Sequence, residues 1–164
     1  DGAILDNIID YLNYVVVPVF IFYSLGMAPE PYLLLSCVAI LLVSCFTFTN
    51  TNIKTDDFYF SGFPAIWNIV VLYLYILESS EFTNFIFVIL FCVLTFIPFK
   101  YVHPFRVVEF RKITLINTFI WMITTTILLF DLSFSNPIFT SANFAIWLIT
   151  NVYFAGNIVF RSIK

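Results

Sequence analysis

Charged residues are scarce in this chain of 164 residues, because Asp, Glu, Lys and Arg together make up only 10% of it. Soluble domains carry about 25%, so an ordinary soluble domain is excluded. Hydrophobic residues make up 62% of the chain, and the mean hydropathy is +1.01. The sequence therefore predicts an integral membrane protein.

Glycine, cysteine and basic residues are also few. Four glycines do not suggest the small-residue helix packing of a transporter core, and seven Lys and Arg without a cluster exclude a nucleic-acid partner. The three cysteines show no CxxC spacing, so we predict neither a disulfide framework nor a zinc site. We expect Cys37, Cys45 and Cys92 to be buried as small hydrophobic residues.

Six apolar runs have about the length that crosses a bilayer. They cover residues 8–25, 32–48, 63–77, 82–99, 113–130 and 139–160. The predicted fold is an all-α, polytopic membrane helix bundle with six transmembrane helices, and residues 1–164 form a single membrane domain. The third run is short unless its helix reaches back to Tyr59.

Positive charge lies on one side of this topology. With six crossings, the two ends and the loops at 50–62 and 100–112 share a side, and all seven basic residues fall there. The opposite loops carry only acids, namely Glu30, Glu78, Glu81 and Asp131. The positive-inside rule makes the basic side cytoplasmic, which predicts a multi-pass membrane protein with both ends in the cytoplasm.

Asp6 and Asp10 stand at the start of the first apolar run. A carboxylate deep in hydrocarbon costs about 2.5–3.5 kcal/mol, so such groups usually lie near an interface, pair, or bind a cation. Four residues apart, the two share one helical face and offer the hard oxygen ligands that Mg²⁺ or Mn²⁺ prefers. A solvated first turn, in which acids complement the helix dipole, is an equally open interpretation.

Gly2, Asp6 and Asp10 also match the last three fixed positions of D-x2-D-G-x2-A-R-x8-G-x3-D-x3-D, the signature of CDP-alcohol phosphatidyltransferases. The first half of the signature is not in this chain. LDNIIDYLNYVVVP at 5–18, KTDDF at 54–58, GFPAIWN at 62–68 and YVHP at 101–104 resemble the bacterial phosphatidylcholine synthases of that family. The phosphatidylcholine synthases are expected to have eight spans, so the resemblance implies that the six here correspond to the last six. The chain also lacks an initiator Met, and we expect it to be an N-terminally truncated fragment.

The resemblance implies a CDP-diacylglycerol–choline O-phosphatidyltransferase of phospholipid biosynthesis, which converts CDP-diacylglycerol and choline into phosphatidylcholine and CMP with Mn²⁺ or Mg²⁺. It implies that Asp6 and Asp10 bind the metal, that Asp10 is also the general base, and that Gly2 leaves room for the donor. We expect the fragment to be inactive and to bind no metal tightly, since half of the signature is missing.

Trimethylammonium groups bind to aromatic faces near carboxylates, so the candidate choline ligands are Tyr11, Tyr14, Tyr59, Trp67, Asp56 and Asp57. The aromatic residues could equally form a membrane belt, and the two acids could simply be solvated in a loop. The candidates for phosphate binding are Arg106, Arg111 and Lys112, which could instead only set the topology.

Other functions stay open on the sequence alone. The acceptor could be serine, glycerol phosphate or inositol, or the chain could be a transporter, a channel or a structural subunit. Membrane lipid is an expected partner, and a homodimer is compatible with the sequence. We expect Asn143, Asn151 and Asn157 in the last span to form hydrogen bonds between helices.

Overall fold

The computed structural model describes residues 1–50, 59–134 and 137–163, and the side chains of 1–50, 59–130 and 141–163. It is mostly helical, as predicted, and it divides into two compact units. The first comprises Asp1–Ile53 and Ser61–Pro98, and the second comprises Lys54–Phe60 and Phe99–Lys164.

The first unit begins with one long helix. It consists of α1 (Gly2–Tyr11), a π-helical turn (Leu12–Val16) and α2 (Val17–Ser24). Pro18 has no N–H to donate, and the irregular turn directly before it accommodates the missing hydrogen bond. The predicted start at Ile8 is wrong, because residues 2–7 are helical as well. The carboxylate of Asp1 accepts a hydrogen bond from the Ala3 N–H at 2.9 Å.

Three more helices complete this unit, namely α3 (Glu30–Thr49), α4 (Trp67–Ile76) and α5 (Glu81–Leu94). The buried amide of Asn84 on α5 donates a hydrogen bond to the carbonyl of Met27 at 2.8 Å, which ties α5 to the turn before α3. Cys37 and Cys92 are buried as expected. The prediction is wrong for Cys45, whose side of α3 faces outward.

The start of α4 differs from the sequence prediction. A helix reaching back to Tyr59 is ruled out, because Tyr59–Ser61 is a strand, β1. Gly62 follows with φ +84°, and a Cβ there would lie 2.3 Å from the carbonyl oxygen of Thr95. Ala65 also has a positive φ, +56°, so residues 62–66 cannot be helical and α4 is short.

The second unit contains a pair of long helices and a small sheet. The strand β1 pairs with β2 (Lys100–Val102), and α6 (Arg111–Phe134) packs against α7 (Pro137–Ile163). Hydrogen bonds between α6 and α7 include Trp147 Nε1 to Thr125 Oγ1 at 3.0 Å, Asn143 Nδ2 to the Thr124 carbonyl at 2.8 Å, and Asn117 Nδ2 to the Thr150 carbonyl at 3.2 Å. The hydroxyls of Thr114 and Tyr153 share a further one at 2.7 Å.

These bonds confirm the prediction for Asn143, whereas Asn157 donates to Tyr153 in its own helix. Polar contacts of this kind hold helices together in lipid, where no hydrophobic effect does so.

Within the described residues, four helical stretches are long and apolar enough to cross a membrane: Gly2–Ser24, Glu30–Thr49, Arg111–Phe130 and Ser141–Ile163. The helices α4 and α5 are apolar but shorter. The protein is therefore a helical, membrane-embedded protein with all six predicted apolar runs represented by helices.

Candidate functional site

Asp6 and Asp10 lie on the regular helix α1, one turn apart, as their spacing predicts. Asp6 is exposed and Asp10 is half-buried. The first turn of the helix contains no acidic residue, because Asp1 is the capping residue and the pair lies beyond it. The pair therefore lies beyond the first turn of α1 as described, and both interpretations of the pair stay predictions.

Contacts of Tyr11 with α3 set the position along that helix of Asp6 and Asp10, the acidic pair. Its hydroxyl donates a hydrogen bond to the carbonyl of Leu41 at 2.9 Å, and its ring meets that of Phe48 edge-on at 5.6 Å. Asp10 therefore lies beside the C-terminal half of α3. Tyr11 is engaged in this packing, whereas Tyr14 on the following turn is exposed.

The donor set suits a hard divalent cation. Mg²⁺ is usually held by one or two carboxylates, with waters and substrate phosphates completing the octahedron, and Asp6 and Asp10 supply two carboxylates on one face of α1. Across the described ranges no group of three or more His, Cys, Asp and Glu could hold a metal ion. Asp56 and Asp57 lie outside the described residues.

Gly2 opens α1 and is exposed. A Cβ at this position would meet no described atom within 4 Å. Packing within the described part of the chain therefore does not require glycine here.

Trp67 is placed in the core of the first unit. Only 1% of its surface is exposed, its indole N–H donates a hydrogen bond to Ser44 Oγ at 2.8 Å, and the rings of Phe63 and Phe91 lie 5.4 and 6.3 Å away. This environment favours a packing role over acceptor binding.

Tyr59 belongs to the second unit, where its ring already faces a cation. The guanidinium carbon of Arg161 lies 5.7 Å from the centre of the Tyr59 ring, 5.8 Å from that of Phe110 and 5.6 Å from that of Phe160. Arg161 is 8% exposed and forms an ion pair with Glu109. Such contacts are typical of cation–π stabilisation.

This Arg161 cluster, formed by Arg161, Glu109 and the three rings, was not predicted from the sequence. A signal for it was present, since Glu109 is an acid in a segment that is otherwise basic between residues 100 and 112.

The three predicted phosphate ligands are exposed in the second unit. Arg111 and Lys112 form the first turn of α6, and Arg106 lies in the turn before it. The backbone N–H groups of a first helical turn and neighbouring cations both favour an anion. Their role stays a prediction.

The fold and this site define a class: a polytopic membrane protein with a pair of carboxylates at the entrance of one span. Within that class the chain belongs to the phosphatidylcholine synthase family, as its resemblance predicts. It is 37% identical over 164 residues to the phosphatidylcholine synthase of Pseudomonas aeruginosa, which covers 100% of this chain and 67% of that protein.

Two further relatives named phosphatidylcholine synthase agree. The protein of Borreliella burgdorferi is 37% identical over 155 residues, 94% of this chain and 64% of its own length. The protein of Legionella pneumophila is 49% identical over 107 residues, 65% of this chain and 42% of its own length. The chain thus spans about two thirds of the first relative and less of the other two.

No family model matches the chain, and no solved structure matches it. Membership places the chain among the membrane transferases of phospholipid biosynthesis.

Proposed function

We propose that the full-length protein containing this chain transfers the phosphatidyl group of CDP-diacylglycerol to choline, releasing CMP. The observation that carries the proposal is the match of the whole chain to a phosphatidylcholine synthase, together with the placement of Asp6 and Asp10 on one face of α1. The chain would then be the C-terminal part of a CDP-alcohol phosphatidyltransferase domain, in which all six helical segments cross the membrane.

In this reaction the choline oxygen forms a bond to the phosphorus of the phosphatidyl group, while the bond from that phosphorus to the bridging oxygen of CMP breaks. Asp10 would accept the proton of the choline hydroxyl, and proton transfer of this kind typically contributes about 10²–10⁴-fold. A Mn²⁺ or Mg²⁺ ion held by Asp6 and Asp10 would offset the charge of the pyrophosphate and of the departing CMP.

Other residues would bind the substrates. Gly2 would let the nucleotide end of the donor approach α1, and Tyr14 remains accessible for choline. The exposed cations Arg106, Arg111 and Lys112 would bind lipid or nucleotide phosphate. Both ends of the chain and the site would face the cytoplasm of a bacterial inner membrane, and a homodimer is compatible with this arrangement.

The test uses the full-length protein in membranes, supplied with CDP-diacylglycerol, Mn²⁺ and radiolabelled choline. We expect labelled phosphatidylcholine and an equal amount of CMP, and we expect Asp10→Asn to lower turnover by at least 100-fold. The matched control is Glu81→Gln, which also changes an acid to an amide, at an exposed residue of α5. It should retain wild-type turnover.

Each alternative gives a different outcome in this assay. CMP release with serine, glycerol phosphate or inositol but not with choline would show that the acceptor is one of these alcohols and not choline. Full activity in Asp10→Asn would rule out its role as the base. Absence of CMP release with every acceptor, combined with cation flux into liposomes, would favour a transporter. Residues 1–164 alone are expected to give no turnover, since they hold only the second half of the signature.

A further inference from the structure

The first unit contains a recess. None of the site residues predicted from the sequence contributes to its lining. Its volume is about 190 Å³, and its lining is formed by Phe46, Asn50, Ser61, Thr95, Phe96 and Pro98. One water molecule occupies about 30 Å³ in the liquid, so the recess is large enough for a small organic group. All six lining residues belong to the same compact unit.

The recess exists because the third apolar run is not helical from its start. Residues 62–66 are irregular, with positive φ at Gly62 and Ala65, and the N–H of Phe63 donates a hydrogen bond to the carbonyl of Leu94 at 3.1 Å. Gly62 allows this close approach to α5. Irregular backbone at membrane depth is tolerated only where it is buried in protein or lines a cavity, and in secondary transporters interrupted apolar segments form the substrate site.

The chemistry of the lining suits an organic cation. The rings of Phe46 and Phe96 lie 5.3 Å apart, and the lining side chains carry no formal charge. The helices α3 and α5 both end here, at Thr49 and Leu94, and the carbonyl end of a helix has a partial negative charge. A trimethylammonium group, which has no hydrogen-bond donor, is attracted by aromatic faces and partial negative charge together.

The recess lies at the same end of the unit as the acidic pair. A short connection at residues 25–29 makes α3 run antiparallel to the first helix, and Tyr11 contacts α3 at Leu41 and Phe48. Asp10 and Asp6 therefore lie alongside the last turns of α3, which are the turns that contribute Phe46 and Asn50 to the recess.

We propose that this recess binds the trimethylammonium head of choline, either as the free alcohol or as the headgroup of the product lipid. The proposal rests on the proposed function and assigns Phe46 and Phe96 as the aromatic ligands. Choline held there would have its hydroxyl end free to extend toward the acidic pair.

The test measures choline binding without turnover. The full-length protein in phosphatidylglycerol nanodiscs is mixed with choline, and saturation-transfer NMR detects the choline methyl groups. We expect the double variant Phe46→Leu/Phe96→Leu to reduce the saturation-transfer signal of the choline methyl groups at least tenfold. The reason is that leucine fills similar space but offers no aromatic face. The control Phe82→Leu changes an exposed ring at the other end of α5 and should keep the full signal.

A second variant, Ser61→Phe, fills the recess while leaving both rings in place and should also abolish the signal. Wild-type binding in both recess variants, or no binding in the wild type, would overturn the proposal. Nanodiscs made of phosphatidylcholine distinguish free choline from the lipid headgroup as the ligand. Loss of the choline signal in these nanodiscs would show that the lipid headgroup also occupies the recess. An unchanged signal would show that the recess binds free choline only. The turnover assay decides the proposed function independently of this binding signal.

Discussion

Single residues of the same chemical type have different roles in α1. Asp1 caps the helix with its carboxylate, whereas Asp6 and Asp10 lie further along the helix and present one shared face. Acids within an apolar segment usually lie near an interface, pair, or bind a cation, so the pair stays the candidate cation site of this helix. Gly2 is a feature of the helix that packing within the described residues does not explain, because a Cβ there would meet no described atom within 4 Å.

The variant Gly2→Ala tests whether glycine at position 2 is needed for donor binding or for folding of the helix. Alanine is favoured over glycine in a helix by about 1 kcal/mol, and its Cβ has open space here, so Tm should stay the same or rise slightly. If the donor approaches α1 at this position, KM for CDP-diacylglycerol should rise severalfold.

The control for this change is Gly156→Ala in α7, where a Cβ also meets no described atom within 4 Å. In that variant KM for CDP-diacylglycerol should keep its wild-type value, and Tm should again stay the same or rise slightly. An unchanged KM in Gly2→Ala would show that the donor does not approach α1 at this residue.

At the scale of elements, the last turn of α7 forms an ion pair with the segment before α6 and a hydrogen bond with β2. Arg161 forms its ion pair with Glu109, and the backbone N–H of Lys100 in β2 donates a hydrogen bond to Ser162 Oγ at 2.9 Å. A buried arginine that stacks on aromatic rings is held by its planar guanidinium as well as by its charge. The Arg161 cluster therefore stabilises the second unit.

Glu109→Gln should destabilise this unit, because it leaves the buried guanidinium without a counter-charge. The expected cost is about 1–3 kcal/mol, below the range for a fully buried pair because Glu109 is 56% exposed. The measurement is Tm of the purified protein in detergent, which should fall by several degrees.

Two comparisons test the cause. Glu81→Gln removes an exposed acid and should leave Tm unchanged. Adding Arg161→Leu to Glu109→Gln should restore part of the loss, since the unpaired buried charge is then gone. A double variant that is less stable than Glu109→Gln would show that the stacking of Arg161, not its charge balance, dominates.

At the scale of the whole molecule, charge placement predicts that the turn before α5 and the segment before α6 face opposite sides of the membrane. Single cysteines at Glu81 and Val108, both exposed, test this in a background with every native cysteine replaced by alanine. A membrane-impermeant maleimide should label Glu81→Cys in intact spheroplasts and Val108→Cys only after permeabilisation. Labelling of both in intact spheroplasts would contradict the six-span topology.

Much of the fold was predictable because apolar runs and turn residues such as Gly26 and Pro29 are strong local signals. The late start of α4 was not, because it depends on contact between Gly62 and the end of α5 rather than on local preference. The two strands have three residues each, which is too short for an alternating pattern.

Part of the candidate site was predictable from the sequence, and part was not. The helical spacing of Asp6 and Asp10 predicts a shared face from sequence alone. Whether an aromatic residue is accessible depends on tertiary packing, and so the burial of Trp67 against Ser44 and the stacking of Tyr59 on Arg161 were not predictable.

The short helices α4 and α5 have a consequence for the lipid around them. With 10 and 14 residues they are about 15 and 21 Å long, whereas the hydrocarbon core of a bilayer is about 30 Å thick. A span that is too short draws the two leaflets together locally. In the proposed six-span arrangement, headgroups beside α4 and α5 would therefore lie deeper than elsewhere in the bilayer. A lipid-borne phosphate could then reach the acidic pair while its acyl chains remain in the membrane.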